Sequence, residues 1–267
     1  MRPAWSEPFA HDAVPPAPTL PLALTSEWAF GDATGAGVRV AIVDSGVEAG
    51  HPAVGDVAGA VAFAADPETA DGVRAVEGPH DDLFGHGTAC AAIVRCIAPD
   101  VELWSLRVLG ERLTTRARVF TTALEWALDH RMNVINLSLS TTNDEWYGTL
   151  HELCDRAAFA GVMVVSALAN ERKASYPSEF SSVFSVAASE DLDPQHWWCN
   201  PGPPAEWGAP GIDLDVAWLG GTTITATGNS FAAPHISGHL ARLLQAHPGI
   251  TTWQAKAVLA QLAANAR

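Results

Sequence analysis

Basic residues are scarce in this sequence. Fifteen lysines and arginines face thirty aspartates and glutamates across 267 residues, a formal charge of −15. None of the basic residues cluster densely enough to neutralise a run of phosphates, so a nucleic-acid partner is not expected. No apolar segment approaches the roughly 20 residues that span a bilayer, so no membrane partner is expected either. The first residues, MRPAWSEPFAHDAVPPAPTLPLALTSE, lack the charged start and continuous apolar run of a secretory signal, because prolines interrupt every apolar stretch. A cytoplasmic protein is the expectation. Cysteine is sparse as well: Cys90, Cys96, Cys154 and Cys199 show neither C-x-x-C spacing nor a zinc-ribbon pattern. They read as buried or free thiols suited to a reducing compartment.

What is present is apolar substance for a large core, with 48% hydrophobic residues and a mean hydropathy of +0.10. Residues 1–25 read as a Pro/Ala-rich arm, and 26–267 as one domain. From Val38 onward, short β-branched runs alternate with longer helical patterns. Strands are predicted at Val38–Val43, Val101–Val108, Val134–Leu139, Val162–Leu168 and Val183–Ala188. Helices are predicted near Gly87–Ile97, Thr115–Arg131, Glu145–Ala160, after Ser230, and from Thr252 to Ala263. This alternation implies an α/β layer architecture with a mainly parallel sheet flanked by helices.

In such sheets ligands gather at the carboxyl ends of strands, so residues there matter most. Val38–Val43 stops at Asp44, and Val162–Leu168 runs on through Ala169 to Asn170. His86 stands at a predicted helix start between Gly85 and Gly87, and Ser230 at another after Gly228 and Asn229. Alone, Asp44, His86 and Ser230 each read more readily as a cap, turn or surface residue. Together they supply an orienting acid, a general base, a nucleophile and an amide donor for an oxyanion. His235 and His239 lie four apart and could share a helix face, but HISGH lacks the glutamate of a metalloprotease helix. No metal and no cofactor is expected.

Three segments carry a family resemblance. VAIVDSGV at Val40–Val47, FGHGTACAA at Phe84–Ala92 and GNSFAAPHISG at Gly228–Gly238 resemble the aspartate, histidine and serine motifs of the subtilisin-like serine proteases, in the family's chain order. Coverage runs from about Trp28 to Ala263. The resemblance implies a three-layer subtilisin-like fold and peptide hydrolysis through an acyl-enzyme on Ser230. His86 would be the base, Asp44 its orienter and Asn170 the oxyanion donor. It also implies a peptide or protein substrate lying beside Ser138, Leu139 and Ser140 and opposite Ala167, Leu168 and Ala169.

Some residues depart from the family pattern. Asn229, expected among the substrate-binding residues of the cleft, stands where threonine usually precedes the nucleophile, and its amide could donate toward the oxyanion. Ala169, Ser140 and Ser175 replace common glycines and narrow the cleft, which implies selectivity of the kind a precursor-maturing enzyme has. The helix after His86 lacks the polar calcium-binding loop of secreted relatives. The same departures leave open a rival reading, a peptide-binding or partner-binding protein that keeps the fold without turnover.

Overall fold

A computed structural model describes residues 18–200, 202 and 204–266, so most of the arm expected at 1–25 lies outside the described residues. Leu20 and Leu24 already pack against the core. The start of the first helix, α1 (Ser26–Phe30), is capped by Thr25, whose hydroxyl accepts from the Trp28 N–H.

The five expected strands make the parallel centre of a nine-stranded sheet: β1 (Arg39–Asp44), β4 (Glu102–Arg107), β5 (Val134–Leu137), β6 (Met163–Ala167) and β7 (Phe184–Ser189). Sequence reading missed β2 (Gly59–Ala65), β3 (Val73–Glu77), β8 (Trp198–Cys199), β9 (Trp207–Pro210), β10 (Leu214–Trp218) and β11 (Thr222–Ala226). The reason is visible in their composition: β2 is mostly alanine and glycine, β8 has two residues, and β11 is largely exposed threonine. The sheet order is β3-β2-β4-β1-β5-β6-β7-β9-β8, with β10 and β11 pairing separately as a hairpin. Within the sheet only the edge strands β3 and β8 run antiparallel to their neighbours.

Alternation along β1 explains the layers. Val40 and Ile42 face one core, which contains residues of α1, α2 (His86–Ile97), α5 (Asn229–Ala246) and α6 (Thr252–Leu262). Ala41 and Val43 face the other, closed by α3 (Ala117–Asp129) and α4 (Tyr147–Phe159). Both faces of the strand are therefore dry, as its continuous apolar run requires. The helix after His86 runs without interruption to Ile97. No described helix is long and apolar enough to cross a membrane.

His235 and His239 belong to this core and have different neighbours. His235 donates from Nδ1 to the Phe231 carbonyl at 3.0 Å, while His239 donates from Nε2 to the Pro194 carbonyl at 3.1 Å and packs on Trp197. Burial lowers their pKa values to about 4 and about 3. An unfolded histidine protonates near 6.5 while these stay neutral, so stability falls as pH drops from 6.5 towards 4. For His239 the loss at pH 4 is about 3 kcal/mol. The thermal midpoint is expected to fall over this range more steeply in the wild type than in His239→Gln; parallel curves from calorimetry would refute the assignment.

Candidate active site

Asp44 ends the central strand β1 and is fully buried. Its carboxylate accepts the Ser45 N–H at 2.7 Å and grips the His86 Nδ1–H with both oxygens, at 2.8 and 2.9 Å. That grip leaves Nε2 as the free acceptor of the ring. Burial opposes the imidazolium, but the charge and hydrogen bonding of Asp44 outweigh it and hold the His86 pKa well above the usual imidazole range.

The two glycines around His86 make this approach feasible. Gly85 sits at φ 109°, and a Cβ there would meet the Trp218 indole at 2.7 Å. A Cβ on Gly87 would lie 1.9 Å from the Gly46 carbonyl oxygen, so only glycine lets α2 start against the turn after β1.

A buried carboxylate that sequence reading did not single out locks the same corner. Asp82 accepts from Ser45 Oγ (2.7 Å), from the N–H groups of Phe84, Gly85 and Thr88 (3.0, 2.8 and 2.9 Å) and from Thr88 Oγ1 (2.7 Å). It caps α2 from outside the helix, supplying negative charge where the helix dipole favours it. Its place four residues before His86 was the only signal available.

Ser230 is the second residue of α5, and its backbone carbonyl poses a problem. Pro234 stands four residues later without an N–H, so the usual helical partner of that carbonyl is missing. The hydroxyl of Ser138 (2.9 Å) and the thiol of Cys90 (3.5 Å) donate to it instead. Ser138 in turn accepts from Asn136 Nδ2 at 2.9 Å, and Asn136 Oδ1 accepts from Ser237 Oγ at 2.9 Å. This buried chain pins α5 to β5 beneath Ser230. Burial raises the Cys90 pKa, which keeps it a thiol and a donor.

One cleft of about 730 Å³ brings together His86, Ser138, Leu139, Ser140, Ala167, Leu168, Ala169, Asn170 and Ser230. Asp44 lies beneath it. Phe84, Leu109, Leu113, Trp218 and Phe231 add an apolar wall that sequence reading missed, because it is assembled from four separate segments. Strand β5 ends at Leu137, two residues earlier than expected. Among the described residues the main chain of Ser138–Ser140 has no main-chain partner and stays free to pair with an extended peptide.

Two expectations are corrected. Asn229 is not on the cleft wall: its Nδ2 donates to the Leu168 and Ala169 carbonyls, both at 3.2 Å, so neither hydrogen is left for an oxyanion. Ser175 is fully buried and its Oγ accepts the Ala169 N–H at 2.9 Å, behind the cleft rather than in it. Asn170 accepts the Asn229 N–H through Oδ1 at 3.1 Å, and its Nδ2 has no protein acceptor among the described residues. Asp44, His86 and Cys90 bring three ligand-type atoms within 4.8 Å of one another, the one such group among the described residues. A metal there would have to take Nδ1 from Asp44 and a proton from a thiol whose pKa is raised.

The sequence profile described as the Subtilase family matches residues 35–267. The chain belongs to the subtilase family. It is 28% identical to a thermostable alkaline protease of Halalkalibacterium halodurans, over 86% of this chain and 63% of that protein. Subtilisin E of Bacillus subtilis is 28% identical over 84% of this chain and 59% of its own length. For subtilisin of Bacillus pumilus the figures are 28%, 84% and 82%. The chain therefore spans about three-fifths of the first two relatives. The crystal structure of a cold adapted subtilisin-like serine proteinase matches with a TM-score of 0.68 over 86% of this chain and 83% of that one, at 23% identity, which shows a shared fold.

Removing Asp82 tests the corner that holds His86. Asp82→Ala strands two hydroxyls and three N–H groups, a loss of about 3 kcal/mol or more. The thermal midpoint is expected to fall by roughly 6–12 °C. A calorimetric shift below about 2 °C would show that the capping network is dispensable.

Proposed function

We propose that this subtilase is a serine endopeptidase. The observation that carries the reading is the two-oxygen grip of Asp44 on His86 Nδ1, which presents Nε2 on the wall that also holds Ser230 and Asn170. Ser230 Oγ attacks the peptide carbonyl while His86 Nε2 takes its proton, and Asp44 stabilises the imidazolium that forms. The Asn170 amide and the Ser230 N–H at the start of α5 serve the developing oxyanion. His86 then protonates the leaving amine, and water, activated by the same base, hydrolyses the acyl-enzyme. Ser230 Oγ makes no hydrogen bond to His86 among the described residues; such contacts tighten when substrate enters.

The proposal extends to narrow specificity, with precursor peptides as the substrate class, in an intracellular setting. Ala169 and Ser140 add side chains to the cleft wall, and four free thiols suit a reducing compartment. A fluorophosphonate probe is expected to label Ser230 in folded protein and to leave Ser230→Ala unlabelled; an unlabelled wild type would refute the peptidase. In a peptide library a short motif should dominate, and broad cleavage of unfolded proteins would overturn the selectivity.

The pH profile follows from His86. Catalysis needs the neutral ring, and a pKa held above the usual range means that activity is lost on acidification at a higher pH than an ordinary histidine near 6.5 would give. Asp44→Asn removes the charge that holds the proton, so the acid limb moves down. The rate at the plateau is expected to fall by about 10⁴, as in the same substitution of a serine protease triad. An acid limb unchanged in Asp44→Asn would show that the charge does not set it.

A further inference from the structure

We infer that Asn229 is the positioning residue of the oxyanion site, setting the place of Asn170 relative to the nucleophile; this rests on the peptidase reading above. Asn229 precedes Ser230 in the chain, so whatever holds it also holds the first turn of α5. Its amide touches two neighbouring stretches of main chain. Nδ2 donates one hydrogen to the Leu168 carbonyl and the other to the Ala169 carbonyl, each at 3.2 Å, and Oδ1 accepts the Ala188 N–H of β7 at 2.8 Å. Its own backbone N–H donates to Asn170 Oδ1 at 3.1 Å.

The consequence for Asn170 is a hold at two points. The peptide group that leads into Asn170 is fixed through the Ala169 carbonyl, and the oxygen end of the Asn170 side chain is fixed by the Asn229 N–H. With Oδ1 engaged there, Nδ2 is the end left to donate into the cleft that Asn170 shares with Ser230. The nucleophile and its oxyanion donor are thus tied through one residue adjacent in sequence to Ser230. A threonine, usual at this position in the family, has a single hydroxyl donor and could not hold both carbonyls while accepting from β7.

The test needs no natural substrate. Rates of fluorophosphonate labelling of Ser230 are measured for the wild type, Asn229→Ala, Asn170→Ala and the double variant, with thermal melts to confirm folding. Losing an oxyanion donor costs about 10²–10³ in rate, a magnitude known from subtilisin, a relative of this chain. Asn170→Ala is expected within that range and Asn229→Ala at tenfold or more, about the lower part of it or just below. Because Asn229 acts through Asn170, the double variant should label no more than about threefold more slowly than Asn170→Ala alone. The acid limb set by His86 should not move in Asn229→Ala, whereas general loosening of the fold would shift it.

Multiplying losses in the double variant, or wild-type labelling in Asn229→Ala, would overturn the inference while leaving the peptidase intact. Wild-type protein that does not label would overturn both. If Asn229→Ala melts below the assay temperature, Asn229→Thr takes its place in the same cycle, with a smaller loss expected and the same non-additivity required.

Discussion

A carboxylate at the dry end of the central strand is held by the N–H of the next residue and by the imidazole it orients. Burying Asp44 without those partners would cost several kcal/mol, so the pair must form for β1 to end where it does. The pairing dictates much around it. Helix α2 has to begin within contact of the turn after β1, which demands glycine at 87, and its start has to be capped without a side chain at Gly85, which brings in Asp82. Ser45 serves both sides, donating to Asp82 from its hydroxyl and to Asp44 from its N–H. The carboxylate that holds His86 and the one that caps its helix are therefore one hydrogen-bonded unit.

The second anchored helix solves a different problem. Pro234 removes a helical bond in the first turns of α5 and leaves the carbonyl of Ser230 in need of donors. Ser138 from the end of β5 and Cys90 from α2 provide them. A defect in helix α5 is thus what ties it to the strand and to the helix that carries His86. The Cys90 thiol also lies 3.8 Å from Asp44 Oδ2, so the segments that hold Asp44, His86 and Ser230 converge on one buried sulfur.

The parallel centre of the sheet was legible because β1, β5 and β6 carry buried, mostly apolar runs of the kind a doubly covered strand needs, while β4 and β7 are mixed segments set between helical patterns. Asp44 and Asn170 stood out because each follows an apolar strand at its carboxyl end, and His86 and Ser230 because each stands at a helix start beside glycine. What was not legible depends on contacts distant in sequence. Nothing local in Asn229 tells whether its amide faces the cleft or the Leu168 carbonyl 61 positions earlier. Asp82 looked like one acid among many, since its five donors are defined by the turn it caps. The hairpin of β10 and β11 escaped because its strands are polar on the exposed side and pair only with each other.

Three departures from the family pattern, Asn229, Ala169 and Ser175, converge on one segment. Leu168 donates its N–H to the Val186 carbonyl, Ala169 donates to Ser175 Oγ, and both their carbonyls are taken by Asn229. With the main-chain groups of Leu168 and Ala169 turned to partners behind the wall, this side of the cleft is fastened before any peptide arrives. A fastened wall cannot reshape itself for an ill-fitting residue, and the added methyl of Ala169 removes space that glycine would leave. On the narrow-specificity proposal, selectivity would arise from rigidity as much as from volume: a substrate that fits would meet a surface already ordered, and one that does not fit would have to break hydrogen bonds to be accommodated.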